Sequence, residues 1–344
     1  MKYSSFFAFI VLVFEFSNTS SQNLIAVQNG DTPEYFTNLD SAISHSESGD
    51  TLFLPGGNYS SAIYIDKELH IIGAGYSTEA DTSNATGMTL IYRITYISGA
   101  DNSSLTGVKI SDEIVVGNDA ATSNVSNILI KRCHIVLGVQ FLGSEANNFI
   151  FIENKIGSHS TGSSSLSIDF FSSINHLLLN NVIQAKVNNA NYCEFKNNIF
   201  LYASCCYGSA LGTSYCIFSN NIFMGYSGGT TPLGGGADVF YNNLFAGYST
   251  TSTTNIYYSN FSALITEVFV DYTYGLENDF HLLPDCIGVN AGTDGTDLGI
   301  YGGAFPWKDG GLPNNPHIYY KNIGSATNED GNLDVNIKVS AQDN

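Results

Sequence analysis

The chain has 344 residues, 43% of them apolar, and sets 12 Lys and Arg against 31 Asp and Glu for a formal net charge of -19. The length accommodates one large domain or two ordinary ones, and the charge excludes nucleic acid as an expected partner. The same repulsion disfavours a bare polyanionic sugar or an anionic membrane unless a divalent cation or a local basic patch screens it, so composition alone favours a neutral or cation-bridged ligand.

In chain order, residues 1–22 place Lys2 before the apolar run Phe6 to Phe14 and a small polar stretch. That is the layout of a secretory signal peptide with a cut near Ser21 or Gln22, and the expected location is outside the cell or on its surface. No later segment has about 18 consecutive apolar residues, so no membrane span is expected. Residues 23–48 read as an N-terminal cap. Thr32 and Pro33 suit the N-cap and first position of a short helix with Phe36, Leu39 and Ile43 on one face, which closes the open end of whatever follows. All six cysteines lie beyond the signal, where disulfides are permitted, and none has the C-x-x-C spacing of a zinc site.

Residues 49–303 carry a repeat. "YCEFKNNIF", "YCIFSNNIF" and "DVFYNNLF" say nearly the same thing, and aligning the second asparagine of each pair extends the series to Asn154, Asn181, Asn198, Asn221 and Asn243. Cys133 and Val108 hold the same place in two earlier units. The spacing is 17 to 27 residues, and Ile110, Ile135, Ile156, Ile183, Phe200, Phe223 and Phe245 follow two residues after each anchor. Short β-patterned units at this period predict a solenoid whose neighbours share one core. Stacked strands bring one column's residues about 4.8 Å apart, so the asparagines are expected to form an amide ladder at a turn whose left-handed backbone asparagine tolerates.

The stretch "GDTLFLPGGNYSSAIYIDKELHIIGAG", Gly49 to Gly75, resembles the opening coils of the pectin-lyase-like superfamily. "VFVDYTYGLENDFHLLPDCIGVNAGTDGTDLGIYGG", Val268 to Gly303, is similar to the closing coils of secreted bacterial β-helix proteins. The resemblance implies an all-β fold, a right-handed parallel β-helix with a short N-terminal capping helix and a C-terminal β-type tail. It is nearly silent on activity, because the superfamily includes lyases, hydrolases, tailspikes and adhesins. Residues 304–344 read as a Pro and Gly linker followed by a strand or tail in which Leu333, Val335, Ile337 and Val339 alternate, to fold back as a cap or meet a partner.

Candidate chemistry sits outside the core. The residue after each ladder position is expected to point outward, and that column reads Lys109, His134, Lys155, then Val182, Ile199, Ile222 and Leu244. Stacked bases repel, which is expected to lower a lysine pKa and make it a better proton acceptor, and a lyase acting beside a uronate carboxylate needs a base and a cation. The superfamily's lyases meet that need with basic residues and often calcium, so Lys109, His134 and Lys155 are the catalytic candidates if the chain is an enzyme. The plainer reading is a solvated column of ion pairs. Arg132 and Glu153 beside them are candidate ligand contacts, as are Tyr226 and Tyr248, which recur at one offset and suit a sugar-stacking strip. Asp294 and Asp297 of "GTDGTD" suit either calcium or ordinary turns. The leading expectation is a noncatalytic β-helix that binds or organises polysaccharide or cell-surface glycan. A polysaccharide lyase and a structural adhesin or spike module are the alternatives.

Overall fold

A computed structural model of the chain describes residues 24–77, 86–118, 124–143, 145–158, 167–171, 173–201, 211–225, 233–247, 254–273 and 275–341. The sequence-predicted signal segment, Tyr226, Tyr248, Cys205 and Cys206 lie outside these residues.

The chain winds as a parallel β-helix. One sheet stacks ten parallel strands from Asp50–Phe53 to Ile256–Tyr258, and a second sheet holds the other two strands of each coil, joined through the long strand Thr89–Tyr96. Register is kept from coil to coil: Leu105, Ile130, Phe151, Leu178, Phe195, Phe218 and Phe240 form one inward column. The seven apolar residues that follow the ladder anchors form another, all buried. In the later coils these columns are phenylalanine stacks, with Phe195 on Phe218 and Phe218 on Phe240 at 4.6 Å and Phe200 on Phe223 at 4.7 Å, all within 6° of parallel. Each ring contributes roughly 1.5–3 kcal/mol by burial and about 1 kcal/mol more by stacking.

The asparagine ladder is continuous. Asn154 Nδ2 donates to Asn181 Oδ1 (3.0 Å), Asn181 to Asn198 (2.9 Å), Asn198 to Asn221 (3.0 Å) and Asn221 to Asn243 (2.9 Å). Each Oδ1 also accepts the backbone N–H of the preceding rung, and each Nδ2 reaches a carbonyl of the coil before, so every amide is saturated in a dry interior. Asn260, which the sequence alignment leaves out, is the last rung, accepting from Asn243 at 3.0 Å.

The left-handed bend falls one residue earlier than expected. Asn180, Asn197, Asn220 and Asn242 have φ between 49° and 58°, and Arg132 and Glu153 occupy the same corner at 51° and 56°. The corner residue's side chain therefore faces out, and the next one faces in.

The N-terminal cap also differs in detail. Thr32–Phe36 is a strand, antiparallel to Ile25–Asn29 across a two-residue turn that opens on Gly30 at φ 67°. A two-residue loop with Gly first is a hairpin signal, and it wins over Thr32 and Pro33 as a helix start. The helix is Leu39–His45, capped by Asn38 Oδ1, which accepts from the Ser41 N–H at 3.1 Å; Leu39 and Ile43 are buried as expected. Cys133, Cys193, Cys216 and Cys286 are buried free thiols.

After Phe261–Ala263 the chain stops coiling. Residues 265–273 and 275–314 return along the outside of the second sheet, where a further coil had been expected from the resemblance. Val268, Phe269, Phe280, Leu298 and Ile300 of this strap cover Val182, Ile199, Ile222 and Leu244, building a second apolar core outside the coils. The corner asparagines hold it. Asn242 donates to Ala291 O (2.9 Å), Asn220 exchanges two hydrogen bonds with Thr293 (3.1 and 3.0 Å), Asn197 donates to Gly299 O (3.2 Å) and Asn180 to Ile300 O and Gly302 O (both 2.7 Å). The tail forms the hairpin His317–Thr327 with Leu333–Ser340, whose alternating Leu333, Val335, Ile337 and Val339 are all exposed, so it does not fold back as a cap.

Candidate functional site

The predicted basic column exists in register: Lys109 pairs with His134, and His134 with Lys155, on adjacent strands. It does not face open solvent. The strap that seals the apolar part of the column stands off over these three coils and leaves a cavity of about 490 Å³. Its floor is the three basic residues, and its walls include Tyr76 from the early coils and Glu277, Tyr301 and Trp307 from the strap. Gly311 lets the strap come this close, because a Cβ there would fall 1.9 Å from the Tyr76 ring.

Lys155 Nζ is bound to Glu277 Oε2 at 2.8 Å and lies 5.7 Å from the centre of the Tyr76 ring. The Lys109 ammonium has no hydrogen bond or ion pair among the described residues, although the field of Glu277 reaches it. His134 packs edge-on against Tyr76 at 5.9 Å, and its Nε2 sits 3.3 Å from the Gly157 carbonyl. A carbonyl only accepts, so Nε2 carries the proton and Nδ1 the lone pair. Burial first, and then Lys109 and Lys155, push the His134 pKa down to about 4, so the imidazole is neutral near pH 7. The repulsion expected to act on a lysine of this column acts instead on the histidine, second to burial.

The Tyr76 hydroxyl is buried without a hydrogen-bond partner among the described residues, and burial, reinforced by Glu277 and Asp309, raises its pKa well above the usual value. A buried hydroxyl left unpaired beside a cavity is a donor for whatever fills it. The chain's single tryptophan, Trp307, is a buried member of the same wall.

No protein-family model matches the chain, and no curated protein matches it. The site brings together two ammonium groups, one neutral imidazole, the carboxylates of Glu277 and Asp309, and several aromatic rings.

The other sequence candidates fall elsewhere. Arg132 and Glu153 do not line the cavity. Arg132 is buried and bonded through Nε to Glu153 Oε2 at 2.7 Å, and its Nη1 donates to Leu312 O at 3.0 Å and to the Asn314 side chain. Their charges hold each other and the strap, which corrects the expectation that they meet a ligand. Asp294 accepts from Thr296, and Asp297 from the Asn290 N–H at 2.8 Å, so both carboxylates serve turns. Among the described residues no group of three or more His, Cys, Asp or Glu could hold a metal ion, and the calcium expectation finds no ligand set there.

Glu277, Tyr301 and Trp307 escape the sequence reading because the strap's return path has no period, and Tyr76 because it follows an early coil outside the aligned repeat. Only the isolated Trp307 in "AFPWKDGG" marks that region in the sequence.

Proposed function

We propose that the chain is an exported carbohydrate-binding β-helix of the pectin-lyase-like kind, which takes an acidic sugar unit into the cavity between its basic column and the strap. The observation that carries this reading is Lys109, an ammonium that faces the cavity and makes no ion pair among the described residues, in a protein of net charge -19. A basic patch of this kind is the local exception that lets an acidic chain accept an anion. In this reading a sugar carboxylate meets Lys109, hydroxyls meet the Tyr76 hydroxyl and the His134 Nδ1 lone pair, and the apolar sugar face lies against aromatic wall.

Trp307 provides the test. Titration with uronate oligosaccharides is expected to change its emission, and Lys109→Ala is expected to weaken binding about tenfold or more, the value of one hydrogen bond to a charged group. Unchanged emission across a panel of galacturonate, guluronate, mannuronate and glucuronate oligomers would sink the reading.

The neutral His134 between two lysines favours one second reading, a lyase. There a base takes the proton beside the carboxylate, the C–O bond to the next sugar breaks, a C=C forms, and a lysine offsets the charge that develops. New ultraviolet absorbance from unsaturated ends, abolished by Lys155→Ala, is its signature; binding without that absorbance leaves the noncatalytic reading.

A further inference from the structure

The first sheet carries, on its outer face, an aromatic surface unrelated to the cavity. Tyr192 and Tyr215 stand on successive corners with rings 5.2 Å apart and 9° from parallel, and both are 58% exposed. Tyr241 and Tyr258 stack at 5.1 Å and 12° on the opposite margin, two coils further on. Between the pairs the outward positions are Ile217, Val239 and Ile256, in one register column.

The two stacks are staggered. The corner that follows Tyr215 holds Ala237, and the residue before Tyr241 in its own column is Ser219. Each stack therefore ends beside a small side chain, and Ile217 and Val239 lie between the two ends. Rings with nothing to bury against are otherwise a liability on a surface.

We propose that this notch is a second saccharide site, which binds a neutral glycan chain by stacking the apolar faces of its sugars on Tyr215 and Tyr241. Charge decides the occupant. Glu194 continues the Ile217 column and Lys196 the Tyr241 column on the strand after Tyr192, one charge of each sign, and the other outward positions, Ile217, Ser219, Val239 and Ile256, are uncharged, so the notch carries no net charge to select an anion or a cation. A second copy of the chain brings another net charge of -19 to the contact. A neutral ligand with both C–H faces and hydroxyls suits rings that expose a flat face and a polar tip.

The experiment is isothermal titration of the full chain with cellohexaose, xylohexaose, mannohexaose and laminarihexaose, beside light scattering of the free protein. At least one hexasaccharide is expected to bind. Tyr215→Ala with Tyr241→Ala is expected to weaken it roughly tenfold, from two lost stacking contacts. Tyr215→Phe with Tyr241→Phe keeps the ring faces and is expected to retain most of the affinity, and Lys109→Ala to leave it unchanged. The four rings are exposed, so all variants should melt like the parent. No binding to any of the four sugars, or equal binding by the alanine pair, overturns the proposal. So does a parent dimer that the alanine pair dissociates, which would give the face to a second copy.

Discussion

Asn220 and Asn221 are adjacent and do opposite work. Asn221 is fully buried; its Oδ1 accepts the Asn198 N–H at 2.8 Å and the Asn198 amide at 3.0 Å, while its own amide reaches Asn243 Oδ1 and Phe195 O. Asn220 takes the left-handed corner at φ 58° and turns its amide out to Thr293. Asn221→Ala leaves several buried polar groups unpaired and is expected to cost about 3 kcal/mol or more in urea denaturation. Asn220→Gly keeps the backbone conformation and loses only the outer bonds, an expected cost of about 1 kcal/mol. A larger loss from Asn220→Gly would reverse these roles. The inner role was legible in the sequence because the ladder recurs every 17 to 27 residues. The outer role was not, since the partner of Asn220 lies 73 residues away in a segment without period.

At the scale of elements, the strap turns a plain solenoid face into a cavity, and its attachment is graded along its length. Over the later coils it is held by apolar contact with Ile199, Ile222 and Leu244. Beyond the cavity the hold passes to Arg132, whose guanidinium joins Glu153 to Leu312 and Asn314. Removing one partner of a buried pair costs about 3–5 kcal/mol, because the other charge stays behind. In Arg132→Ala that loss falls on the strap end and the cavity wall. Trp307 emission is expected to shift to the red while far-ultraviolet dichroism keeps its parent value, and the amides near Gly311 should exchange faster. An unchanged emission maximum would mean that the apolar contacts and the corner asparagines seat the strap without Arg132. The basic column itself could be read from sequence, because one-step offset from a ladder fixes its register. That it lines a cavity could not, because the roof comes from residues 277–311 and no local pattern links them to Lys109.

At the scale of the molecule, a cavity with two ammonium groups on its floor sits inside a strongly anionic field. An acidic oligosaccharide approaching from a distance meets the net charge of -19 before it meets Lys109 and Lys155. Those two contributions respond differently to salt. The Debye length shrinks from about 30 Å at 0.01 M to about 8 Å at 0.15 M, which screens the long-range repulsion but scarcely touches a contact a few ångströms long in a half-buried site. The association rate of a uronate tetramer, followed by stopped-flow emission of Trp307, is therefore expected to rise severalfold over that salt range. Ordinary electrostatic steering of opposite charges shows the reverse trend. The dissociation rate, governed by short contacts, should change less, so affinity should increase modestly with salt before bulk screening weakens the ion pairs themselves. An association rate that falls with salt from the outset would show that the cavity's own positive potential reaches past the acidic surface. The local basic column, and not the net charge, would then govern capture.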